Sequence, residues 1–157
     1  KRKPRSLSPP QRRAEIRRHA VPFGKWLKSG QGTRWREAAS KIIRKTLGPR
    51  RIGRLTRDEV EDVVNQLNCM NSYAINRSKF LNPENNNLLD IRKAWENLLY
   101  GTEPLEVRMT NCKRSLRNFG RSSIQELVGF FDPKHYPLRN ANANAGLRYF
   151  GYNVKVH

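Results

Sequence analysis

The sequence predicts an all-α fold, a helical domain preceded by a basic N-terminal arm. Apolar residues recur at intervals of three and four in segment after segment, and helix-starting and helix-ending residues bracket those segments. No stretch alternates apolar and polar residues as a strand would, apart from a short extended end at Tyr152 to Val156. A chain of 157 residues is long enough for one compact domain with a modest core and a tail.

The elements follow in order. Residues 1–11 mix basic residues with three prolines and two serines and show no apolar period, so a disordered arm is expected there. A short basic helix, residues 12–27, carries Ile16, Val21, Phe23 and Trp26. Trp26 suits either a core anchor or a surface that stacks a base. The arm with this helix is assigned to residues 1–32 and the helical domain to 33–157.

Thr33 is placed to cap a helix in which Trp35, Ala38, Ala39, Ile42, Ile43 and Leu47 form the apolar set, ended by Gly48 and Pro49. Its outer face carries Arg34, Arg36, Lys41, Arg44 and Lys45, and Arg50, Arg51, Arg54 and Arg57 continue the charge. Thr56 and Glu59 have the spacing of a capping box before Val60, Val63, Val64 and Leu67. Asp58, Glu59, Glu61 and Asp62 suit the positive end of that helix better than they suit a metal ion. An Asn-rich stretch, 68–87, has Tyr73, Ile75, Phe80 and Leu81 as expected anchors, and Asn85 to Asn87 read as a loop and cap. Leu88, Ile91, Trp95, Leu98 and Leu99 then make a helix ended by Gly101. Pro104 opens the next, with Leu105, Met109, Cys112 and Leu116 inward.

Charge is unevenly spread. Residues 1–57 hold 19 Lys and Arg against Glu15 and Glu37, a net of +17, whereas the remainder nets only +2. A concentration of this kind marks a polyanion-binding surface, and nucleic acid is the expected partner. Cys69 and Cys112 are too few for a disulfide framework, an iron–sulfur cluster or a thiolate zinc site. Reduced thiols and an intracellular setting are expected, with no metal and no cofactor. No apolar run is long enough to span a membrane, and no signal peptide is evident. The absence of an initiating methionine at Lys1 is expected of a processed chain or a piece of a larger protein or assembly.

From Leu116 onward a helix end, a turn and a helix start follow in quick succession: Arg117-Asn118-Phe119-Gly120, then Arg121-Ser122-Ser123 before Ile124, Leu127 and Val128. Asn118 and Gly120 occupy positions expected to need unusual backbone angles. Unpaired backbone N–H groups at the following helix start suit a phosphate oxygen. The pattern resembles the helix–hairpin–helix motif, with Asn118 where the first glycine is usual. The resemblance continues through Lys134-His135-Tyr136-Pro137-Leu138 to a polar residue twenty positions after Gly120, Asn140. Over residues 86–156 the chain is therefore similar to the helix–hairpin–helix DNA glycosylase superfamily, especially the adenine-type mismatch enzymes.

That family carries a catalytic aspartate where this chain has Asn140, and its strand-cleaving members a lysine where this chain has Ser122. The four-cysteine cluster of some relatives is also absent. The resemblance thus implies a retained binding scaffold, with a pocket near Asn140 and a preference for duplex DNA over RNA. Asn140, Asp132 and Glu126 are the residual catalytic candidates. Asp132 reads as a turn or cap before Pro133, Glu126 as the capping-box partner of Ser123, and His135 as a packing residue. Two alternatives accompany this reading: an active base-excision glycosylase, and a structural RNA-binding protein of a ribosome-like particle.

Overall fold

The structure is a computed structural model that describes residues 5–30, 33–137 and 141–154. Among the described residues it is all-helical, with no strand. The helices are α1 (Pro9–Ser29), α2 (Arg34–Thr46), α3 (Arg57–Asn65), α4 (Asn68–Asn71), α5 (Ala74–Leu81), α6 (Leu88–Tyr100), α7 (Leu105–Ser115), α8 (Arg121–Phe131) and α9 (Ala141–Tyr149). A 3₁₀ turn, Ile52–Arg54, precedes α3. The extended end expected at 152–156 forms no strand over its described part, 152–154.

The chain divides into two compact units, residues 1–36 with 139–157, and residues 37–138. The C-terminal segment thus groups with the N-terminal one, whereas the sequence assigned it to the domain beginning at residue 33.

In the first unit the basic helix is longer than expected, running from Pro9 to Ser29. The residues before it and its first turn are tied to the C-terminal segment: the Arg5 N–H donates to Arg148 O (3.4 Å) and the Arg12 guanidinium to Gly151 O (3.1 Å). Gly151 has a positive φ of 78°, and a Cβ there would lie 2.9 Å from Arg5 O, so both backbone angle and close approach require glycine. Arg5 lies over the Tyr149 ring and Arg12 over Tyr152, holding their apolar stems against aromatic surface. Of this unit, residues 1–4, which the sequence placed in a disordered arm, lie outside the described residues.

The second unit holds the core. Trp95 of α6 is fully buried, with Phe80 stacked 6.2 Å away and Phe119 tilted at 5.7 Å. Ile43, Leu47, Ile52, Val60, Val63, Leu67, Leu98, Ile124 and Leu127 pack in the same cluster. Burying this much apolar surface is what holds short helices such as α4 and α5, which are below the length at which an isolated helix is stable. The Thr56 and Glu59 capping box forms as expected, each side chain bonding the other's backbone N–H (3.2 and 2.9 Å). Asn87 caps α6 through Asp90 N–H (2.8 Å).

Several apolar residues assigned to the interior are exposed: Trp35, Ala38 and Ile42 on α2, and Tyr73 and Ile75 around α5. The inner face of α2 is instead Ala39, Ser40 and Ile43, followed by Leu47. Ser40 can face inward because its hydroxyl donates to the Phe130 carbonyl at the end of α8, which satisfies a polar group that burial would otherwise penalise.

Candidate nucleic-acid interface

The turn between α7 and α8 is reached through Leu116, whose buried side chain anchors it, and Arg117, which is exposed. Asn118 has φ of 59°, the left-handed conformation expected of it. Gly120 departs from expectation. Its φ is −80° and ψ −176°, ordinary extended backbone that any residue adopts, and a Cβ there would meet nothing within 4 Å. The reversal is completed at Asn118, so Gly120 needs no special angle; what its missing side chain leaves is open space.

α8 begins directly after Gly120 with no side chain capping its first turn, and the first N–H groups of a helix have no partner within it. Arg121 and Ser122 are exposed there. Phe119 and Ser123 point elsewhere. The Phe119 ring is buried against Phe80 at 4.8 Å. Ser123 is buried, with its hydroxyl 3.1 Å from Met70 Sδ and 3.5 Å from Cys69 Sγ. The capping box expected of Ser123 and Glu126 does not form, because Ser123 lies inside α8, past its start. Glu126 instead accepts a hydrogen bond from the Cys69 N–H at the start of α4 (2.9 Å), which ties α4 to α8 and occupies the carboxylate structurally.

The residue that positions the turn was not singled out in the sequence. Asn86 is buried, and its amide oxygen accepts from Arg117 N–H (2.8 Å) while its amide nitrogen donates to Arg117 O (3.0 Å) and Phe80 O (2.9 Å). One side chain thus pairs both backbone groups of the residue before the left-handed one. The signal lay in Asn85 to Asn87: one asparagine serves as the cap, leaving two unexplained. The Asn85 amide closes a local loop on Lys79 O (2.9 Å), and Asn86 does the long-range work.

The basic residues form a path toward this turn. The Leu47 carbonyl accepts from Tyr100 OH at the C-terminal end of α6 (2.6 Å), Leu55 O from Arg92 Nε (2.8 Å), and Asn86 O from the Arg57 guanidinium (2.8 Å) just before α6 starts. Residues 47–57 therefore run antiparallel to α6, along a helix of 13 residues or about 20 Å, and finish beside Asn86 and the turn. Lys41, Arg44 and Lys45 on α2, then Arg50, Arg51 and Arg54, are all exposed. Among the described residues only Arg51 of these six is in an ion pair, with Glu59. The Thr56 backbone N–H, with Arg51, holds the Glu59 carboxyl below its usual range. Arg34 and Arg36 are exposed on the first turn of α2, which belongs to the first unit.

The remaining candidates are structural or undescribed. Asp132 ends α8 and pairs with His135, Oδ2 to Nδ1 2.8 Å. Partial burial raises its pKa, but the His135 hydrogen bonds outweigh that and leave it below its usual range. His135 is exposed in this pair, not packed. Asn140 lies outside the described residues. A polar groove of about 430 Å³ between α6 and α7 is lined by Asp90, Lys93, Asn97, Asn111, Cys112 and Ser115. Burial pushes the thiols of Cys112 and Cys69 up to about 12, with the nearby Glu126 adding to the shift at Cys69, so neither is an activated nucleophile. Among the described residues no cluster of His, Cys, Asp and Glu is arranged to hold a metal ion, and no helix is long and apolar enough to cross a membrane.

No known protein family, curated protein or solved structure matches this chain. Its own geometry carries the functional reading.

Proposed function

We propose that this protein binds nucleic acid, with duplex DNA favoured, through a helix–hairpin–helix-like phosphate clamp at residues 117–122 and the basic path along α6. The observation that carries the reading is a run of exposed cations, five of six without a carboxylate partner among the described residues, leading to an uncapped helix start. A phosphate oxygen at the first turn of α8 accepts from the N–H groups of Gly120, Arg121 and Ser122, and the open space at Gly120 gives it room. Arg117 and Arg121 add charge beside it. Lys41, Arg44, Lys45, Arg50 and Arg54 contact successive backbone phosphates, which fixes position without reading bases. The glycosylase-like resemblance supports the clamp. The ties of Glu126 to α4 and of Asp132 to His135 weigh against base excision by either residue.

Arg121 separates the two parts of the clamp. Arg121→Ala removes the charge and keeps the N–H, whereas Arg121→Pro removes both. Proline is favoured at the first helical position, and the extended Gly120 before it satisfies proline's demand on its predecessor. By fluorescence anisotropy on duplex DNA, Arg121→Pro is expected to bind more weakly than Arg121→Ala by about 10-fold or more, the loss of one charge-assisted bond. Equal affinities of the two variants contradict the clamp.

A further inference from the structure

Two of the three tryptophans are at the surface, and both belong to the first unit: Trp26 is 43% exposed and Trp35 47%. Residues this large are mostly buried. On α1, Phe23, itself 56% exposed, stacks on Trp26 with ring centroids 5.6 Å apart and planes 24° from parallel. Lys25 and Lys28 are exposed on the same turns of α1, around the helix from the pair. At the first turn of α2 the Arg36 guanidinium lies over the Trp35 ring at 5.3 Å. The earlier turns of α1 differ, because Arg12 and His19 meet Gly151 and Tyr149 of the C-terminal segment, and Glu15 is paired with Arg5, Arg18 and His19. Beyond Glu15 no acidic residue occurs until Glu37.

We infer that the stacked Phe23 and Trp26 rings on α1, and Trp35 beneath Arg36 on α2, are stacking sites for unpaired bases of a single-stranded nucleic acid. This rests on the nucleic-acid reading above and extends it to a second strand state held by a different unit. Flat rings presented to solvent on a unit rich in Lys and Arg, whose one acidic residue, Glu15, is already paired, match a strand in which each base carries a π-face and each nucleotide a phosphate. So cationic a unit has no complement in an apolar protein partner. Stacking tolerates any base, so the surface is expected to show little sequence preference.

The test uses the full chain with labelled poly(dT) and duplex DNA, followed by anisotropy and tryptophan quenching. Trp26→Leu keeps apolar bulk and removes the ring; Trp26→Phe restores a ring. Trp26→Leu is expected to weaken poly(dT) binding by roughly 10-fold or more, with Trp26→Phe retaining most of it and duplex affinity within about two-fold of the parent. Unchanged poly(dT) affinity in Trp26→Leu with duplex binding intact overturns the stacking surface and leaves the clamp standing. A parent that binds neither ligand overturns both readings. Binding to phosphatidylserine vesicles that survives in Trp26→Leu, with no poly(dT) binding, overturns the inference in favour of a membrane surface.

Discussion

At the residue scale, the turn before α8 depends on one side chain's tolerance of left-handed backbone. Asn118, at φ of 59°, is one of the few non-glycine types that adopts this region cheaply, because its short amide bonds locally and softens the clash with the following carbonyl. Asn118→Ala is expected to cost about 1 kcal/mol in urea unfolding, and Asn118→Gly to stay within about 0.5 kcal/mol of the parent. Gly120→Ala is expected to leave stability unchanged within about 0.5 kcal/mol while weakening duplex binding, because the new methyl group fills space that only a ligand would use. A larger stability loss at Gly120 than at Asn118 contradicts this assignment of roles.

At the element scale, Asn86 joins three parts of the second unit: the end of α5, the start of α6 and the α7–α8 turn. Its backbone carbonyl also receives the Arg57 guanidinium, so the basic path and the turn share one attachment. Asn86→Ala leaves Phe80 O unpaired in a buried setting and Arg117 N–H and Arg117 O unpaired in a part-buried one. A loss of about 3 kcal/mol is expected, with faster amide exchange at Arg117 as the local readout; unchanged exchange there contradicts the positioning role.

The helices themselves were legible, because caps are local chemistry. Thr56 with Glu59, and Asn87 ahead of Leu88, carry their hydrogen-bond partners within four residues. Asn86 was not legible, since its partners at Arg117 lie 31 positions away and its neighbours share its side chain. Periodicity also marked an apolar face on α2 without showing how much of it is covered, so Trp35 and Ile42 were placed inside although only Ala39, Ser40 and Ile43 are. The same limit applied to α1, whose apolar residues Ile16, Val21, Phe23 and Trp26 are all exposed.

At the scale of the whole molecule, a formal charge of +19 favours any polyanion, and total charge alone does not distinguish a binding surface from a solvated one. Placement does. Arg50 and Arg54 lie on the segment that leads along α6 to the turn, and neither has a carboxylate partner among the described residues. Arg51, between them in sequence, is already neutralised by Glu59 and adds less. Each phosphate contact releases condensed counterions, so the salt dependence of affinity counts contacts in a way that a single dissociation constant does not. The most direct measurement is therefore a salt titration of duplex DNA affinity for the parent chain and for the Arg50→Ala, Arg54→Ala double variant. The parent is expected to lose affinity steeply with salt, and the variant's log–log slope to be shallower by about 1.8, two phosphate contacts at about 0.9 each. Identical slopes for the two proteins, or a parent affinity indifferent to salt, contradict a nucleic-acid backbone bound along this path.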